Sequence, residues 1–158
     1  MQTTRGAVFA CCLAGAWTAL CLPAPAIAYL GGDADSVSTD RAALNGQLST
    51  TSTPQYDQHD LTLPSGTVVH EYASRAGQIF AISWQGPQPP DLSQLLGSYL
   101  LRFTNAANTA QAQPGLQRQL NSVQPDFVVQ STAHLRSFRG KAFLPGLVPE
   151  GVSVERLP

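Results

Sequence analysis

From residue 56 the chain alternates in a way that a sheet requires. Tyr56 to Leu63, Thr67 to Ala73 and Gln78 to Trp84 are runs rich in β-branched and aromatic residues. They are separated by Pro64-Ser65-Gly66 and by Ser74 to Gly77, and Gly closes each turn. This predicts a three-stranded meander. Pairing Ser74 with Gln78 would set Tyr72 opposite Phe80 and His70 opposite Ile82. Val68, His70 and Tyr72 would then share a face with Phe80, Ile82 and Trp84. Glu71 would lie on the other face with Val69 and Ala81.

After Gly86-Pro87-Gln88-Pro89-Pro90 the period changes. Leu92, Leu95, Leu96, Tyr99, Leu100 and Phe103 fall at helical spacing, a stripe wide enough to lie on a sheet. Asp91 with Gln94 resembles a capping box. Phe127 to Thr132 and Leu135 to Leu144 read as a second hairpin with a bulge at Gly140, and Gly151 to Leu157 as a last edge strand. Upstream, Ser36 is placed to cap a short helix carrying Val37, Leu44 and Leu48. Residues 29–35 read as a flexible start, 49–55 as a polar linker, and 105–124, with Arg118 their sole charge, as a flexible loop. The expected fold is α+β: an antiparallel sheet, made of a β-meander plus a C-terminal hairpin, with one or two helices on one face.

Residues 1–28 follow a different logic. Arg5 precedes an apolar run from Ala7 to Leu22, Pro23 and Pro25 break it, and Ala26-Ile27-Ala28 offers small residues for a signal peptidase. The run is shorter than the roughly 20 residues a membrane-spanning helix needs. A cleaved leader ending at Ala28 is therefore expected, with no transmembrane segment left behind and a single domain over 29–158. Cleavage would remove all three cysteines, Cys11, Cys12 and Cys21. The mature chain would then reside in the periplasm or outside the cell with no disulfide, and thiol catalysis or Cys-ligated metal would be excluded. Loss of Arg5 leaves eight of the nine Lys and Arg residues against all ten acids. Such a balance offers no basic face for nucleic acid.

Little in the sequence points to catalysis. The three histidines lack metal-ligand spacing, and Asp126, Ser131 and His134 are too close on a hairpin to form a triad. Asp57 and Asp60 read as solvated strand residues, and no carboxylate pair can be placed across a cleft. Neither a catalytic residue, nor a metal, nor a cofactor is expected. Pro87 to Pro90 formally match P-x-x-P but more simply aim the helix that follows. The candidates for binding are the aromatics Tyr72 and Trp84 and the basic cluster Arg136, Arg139 and Lys141. Strand alternation puts Arg139 and Lys141 on one face and Arg136 on the other, unless a bulge at Gly140 realigns them.

A long block carries a family resemblance. It runs from Leu63-Pro64-Ser65-Gly66-Thr67 through Glu71-Tyr72 and Trp84-Gln85-Gly86-Pro87 to Pro90-Asp91-Leu92 and Leu95-Leu96-Gly97. Asp126, Val128-Val129, His134, Arg136, Phe138, Gly140 and Leu144-Pro145 extend it. The chain resembles an uncharacterised family of exported proteobacterial proteins, domain of unknown function 2844. The resemblance implies export from a Gram-negative cell and carries over no catalytic residue, cofactor or fold. The expected function is that of a non-enzymatic periplasmic binding or envelope-associated module, with an envelope protein or polymer as partner. The alternative is a small periplasmic hydrolase or ligand-binding enzyme using His70, Glu71, Asp91 and His134. A third reading, a subunit of a surface assembly, would require an unpaired outer strand.

Overall fold

The structure, a computed structural model, describes residues 29–112 and 118–157. The expected leader and its cleavage point after Ala28 lie outside the described residues. The meander forms where the alternation placed it, as β2 (Tyr56–Thr62), β3 (Val68–Ser74) and β4 (Ile79–Gly86). It is preceded by β1 (Gln47–Ser52) and followed by β5 (Gln119–Val123), β6 (Val128–His134) and β7 (Ser137–Phe143). All seven strands join one antiparallel sheet in the order β1-β2-β3-β4-β7-β6-β5. With helices α1 (Val37–Ala43), α2 (Leu92–Leu96) and α3 (Leu100–Gln111), the architecture is α+β.

Two layers of apolar contact enclose the sheet. Leu61, Val69, Ile82, Val129 and Ala142 meet Leu95 and Leu96 of α2, with Leu100 and Phe103 of α3 against them. This is the helix face. On the outer face, Tyr72, Phe80 and Ala81 are covered by Val148, Val152 and Leu157 of the C-terminal segment. Tyr56 closes that cluster edge-on, its ring centroid 5.8 Å from Tyr72 and 6.1 Å from Phe80.

One irregularity decides which side chains face which way. The β3–β4 register pairs Tyr72 with Ala81 but Ala73 with Ile79, so Phe80 is the extra residue of a bulge. Beyond it the alternation of β4 is inverted relative to the simple hairpin. Ile82 pairs with Glu71 and Trp84 with Val69, on the helix face, while Ser83 pairs with His70 on the outer face. The expectation that His70, Ile82 and Trp84 share a face is thereby corrected. At Gly140 no bulge occurs, and pairing is regular with Trp84 on one side and Ser131 on the other. A Cβ there would lie 2.6 Å from Cε2 of Trp84, so glycine admits the indole.

Several boundaries also differ. The 49–55 stretch is not a linker, because Gln47–Ser52 pairs along its full length with β2. Residues 29–35 are pinned down: Leu30 is fully buried and its N–H donates to the Leu95 carbonyl at 2.9 Å. Gly31 N–H likewise donates to Ile79 O at 2.8 Å. α1 stops at Ala43, Asn45 takes a positive φ of 51°, and Leu48 belongs to β1. Ser36 makes no capping bond, whereas the Asp33 side chain accepts from Asp35 N–H at 2.9 Å and caps the 3-10 turn preceding α1. The long helix is broken at Gly97 (φ +50°), where a Cβ would lie 2.7 Å from that of Tyr29. The expected loop 105–124 contains the end of α3 and all of β5. Residues 151–157 form no strand; they hold a 3-10 turn, Val154–Arg156. Among the described residues no helix is long and apolar enough to cross a membrane.

Candidate functional site: an open polar groove on the outer face

The C-terminal segment covers only part of the outer face. Along the row Tyr72, Ala81, Phe143 and Val128, which lie side by side on β3, β4, β7 and β6, the surface is apolar and capped. The two rows beyond are polar: the nearer is half-buried, with Ser83 buried in it, and the farther is exposed. One runs His70–Ser83–Lys141–Gln130, and the next runs from Gln85 through Arg139 to Thr132. Each residue is opposite its neighbour in register, so the side chains stand next to one another across strands about 4.8 Å apart. Together they line a groove of about 490 Å³, with Leu157 where the C-terminal segment meets it.

Each wall of the groove is set by local contacts. His70 Nδ1 lies 2.6 Å from Asp60 Oδ1, an oxygen that also accepts from Gln58 Nε2 at 2.8 Å. This fixes the imidazole at one end. Ser83 hydrogen-bonds the Tyr72 hydroxyl, which burial pushes up to about 12. On β7, Arg139 and Lys141 are two residues apart and therefore on the same face. Lys141 Nζ lies 3.6 Å from Glu155 Oε2, a carboxylate exposed enough for the pair to be weak. The groove thus offers two cations, an imidazole, two amides and two hydroxyls. It can bind an anionic, hydroxyl-rich ligand; the one hydroxyl beside its imidazole is that of Ser83, opposite His70, and it is buried and engaged with the Tyr72 hydroxyl.

Of the residues singled out in the sequence, Arg139 and Lys141 come together here. Arg136 lies in the two-residue turn between β6 and β7, after Leu135 (φ +52°), and is exposed. Tyr72 is fully buried beneath the C-terminal segment, and Trp84 is 2% exposed on the helix face, so neither presents its ring as a platform. The four residues of the enzymatic alternative do not converge. His70 and Glu71 face opposite sides of β3, Asp91 caps α2, and exposed His134 ends β6. Among the described residues no group of three His, Cys, Asp or Glu side chains could hold a metal ion.

The polar cluster that sequence reasoning missed lies on the helix face. Glu71 of β3 and Asp40 of α1 are both fully buried, and Gln94 Nε2 of α2 donates to Asp40 Oδ1 at 2.8 Å. Both Glu71 oxygens and Asp40 Oδ2 have no donor among the described residues. Two ionised carboxylates cannot serve each other, and their burial together favours a proton shared between them. Burial, then the Asp40 charge, pushes Glu71 up to about 9, and burial raises Asp40 to about 6 against the Gln94 hydrogen bond. His59, opposite Glu71 in register, is shifted downward by burial. Neither acid lines the groove, so the pair ties two helices to the sheet.

A family profile described as a protein of unknown function (DUF2844) matches residues 26–157. The chain belongs to that family. No curated protein and no solved structure matches it.

Proposed function

We propose that this chain is an exported, non-catalytic binding protein whose outer sheet face takes an anionic, hydroxyl-rich polymer of the cell envelope, an acidic polysaccharide. The observation that carries the reading is the pair of polar rows left open beside the C-terminal segment, with Arg139 and Lys141 at their centre. Two cations on one strand match carboxylates repeated along a chain. The flanking Gln85, Gln130 and Thr132 supply donors and acceptors for hydroxyls. Four adjacent strands give a floor roughly 14 Å across, room for a few sugar units. Periplasmic residence rests on the leader-like first 28 residues, and the dispersal of His70, Glu71, Asp91 and His134 favours binding over hydrolysis.

Affinity electrophoresis in gels containing polygalacturonate, with neutral dextran as control, tests the binding. The expected result is retardation by the acidic polymer, weakened by salt and lost in Arg139→Gln/Lys141→Gln. Equal mobility in both gels, or retardation that survives the double substitution, would overturn the proposal. Fractionation of cells expressing the chain from its own leader, with the mass of the product, tests export: a periplasmic form beginning at Tyr29 is expected.

A further inference from the structure

The outermost strand on the meander side is unusually undefended. β1 pairs with β2 residue for residue from Gln47 to Ser52, without a bulge, and among the described residues has no strand on its other side. All six of its residues are exposed, including Leu48 at 36%. Alternate backbone N–H and C=O groups of such a strand point away from its one neighbour, ready to pair. Edges of this kind are ordinarily blunted by lysine, proline, a bulge or a covering element. Here there is no charge from Leu44 to Tyr56, and the strand contains no proline. The opposite edge is better defended: β5 has α3 against it and is bracketed by Arg118 and Asp126.

We propose that β1 pairs with β1 of a second copy, joining two sheets into one continuous antiparallel sheet about a two-fold axis. Three observations single out a second copy as the occupant. Isologous pairing of one strand with itself is necessarily antiparallel, which continues the order of this sheet. A strand bearing no charge meets no repulsion from its own copy. The run Ser49-Thr50-Thr51-Ser52 supplies hydroxyl side chains that pair across strands with their own kind. With the axis normal to the sheet, the helices of both copies stay on one side and the two grooves open on the other. Centred on Ser49 or on Thr50, this arrangement sets Ser49 opposite Ser49 or Thr51 of the other copy.

Sedimentation equilibrium of the purified chain, with circular dichroism to monitor folding, tests the proposal through charge exchange. The unmodified chain is expected to be a dimer, and Ser49→Lys/Thr51→Lys and Ser49→Glu/Thr51→Glu are each expected to be folded monomers. Mixing the two variants should restore a dimer containing one of each. Asn121→Lys on the β5 edge should leave the dimer intact. A chain that remains monomeric over the accessible concentration range would overturn the proposal. So would a dimer that tolerates either pair of like charges, or one abolished by Asn121→Lys. A monomer that recruits a strand from another protein through β1 would identify a different occupant and count against self-pairing.

Discussion

Replacing Glu71 with Gln should remove most of the pH dependence of this fold's stability. In the folded chain burial, with the Asp40 charge, pushes Glu71 up to about 9, and burial pushes Asp40 up to about 6, from ordinary values of 4.5 and 3.8. The folded state therefore holds protons that the unfolded chain releases. Their contribution is fully present below about pH 4 and is lost as pH rises through about 6 and then about 9. Each proton held in excess costs about 1.4 kcal/mol of stability per pH unit. For the pair this is several kcal/mol by neutral pH, a large share of a domain's roughly 5–15 kcal/mol. In Glu71→Gln the amide keeps the shape and donates to Asp40 without needing a proton. Urea unfolding from about pH 5 to about pH 8 should show the wild-type midpoint falling steadily while that of the variant stays nearly level. The other titrating groups are common to both chains, so the difference between the curves isolates the pair. A variant with the wild-type slope, merely displaced, would refute the shared proton.

Further substitutions probe the packing and the caps. Gly140→Ala drives a methyl into the Trp84 indole and should cost about 1–3 kcal/mol in urea unfolding. Leu95→Ala empties a fully buried site beneath α2 and should cost about 2–5 kcal/mol by the same measurement. Asp91 accepts from the N–H groups of Ser93 and Gln94, so Asp91→Ala should lose about 1 kcal/mol. Its hydrogen bonds, chiefly from the Ser93 hydroxyl, hold the Asp91 carboxyl below the usual range. That stability is present above about pH 4 and lost as pH falls through the lowered value, so wild type and Asp91→Ala should converge in acid.

Strand positions were legible because alternation and turn residues act locally. Tyr56, Val68 and Val128 all lie at or next to the strand starts that their residue types implied. The α2–α3 stripe was legible for the same reason, since Leu92 to Phe103 packs as spaced even though Gly97 breaks the axis. β1 was not, because Ser and Thr on a strand exposed on every side carry no hydrophobic period. Nor was the pinning of residues 29–34, which depends on Leu30 finding a site between β4 and α2. The buried pair was beyond reach too: Asp40, Glu71 and Gln94 belong to three elements, and only tertiary packing brings them together. The polar groove was half legible. Arg139 and Lys141 signal a shared face by spacing alone, and Ser83/Gln85 and Gln130/Thr132 carry the same polar alternation on β4 and β6.

The Phe80 bulge joins these pieces, and its consequence follows from the period of two. With a regular hairpin, Ile82 and Trp84 would stand on the outer face beside His70, and Ser83 and Gln85 would point toward the helices. The extra residue exchanges them. It sends Trp84 to the helix face, where Gly140 makes room for it, and turns Ser83 and Gln85 outward into the rows of Lys141 and Arg139. The same inversion leaves Phe80 and Ala81 together on the outer side with Tyr72, where the C-terminal segment can cover them. One inserted residue therefore draws the boundary between the capped apolar half of that face and the open polar half. Deleting Phe80 should restore simple alternation, bury Ser83 and Gln85 without partners and expose an indole. A burial exchange on that scale is incompatible with the present fold.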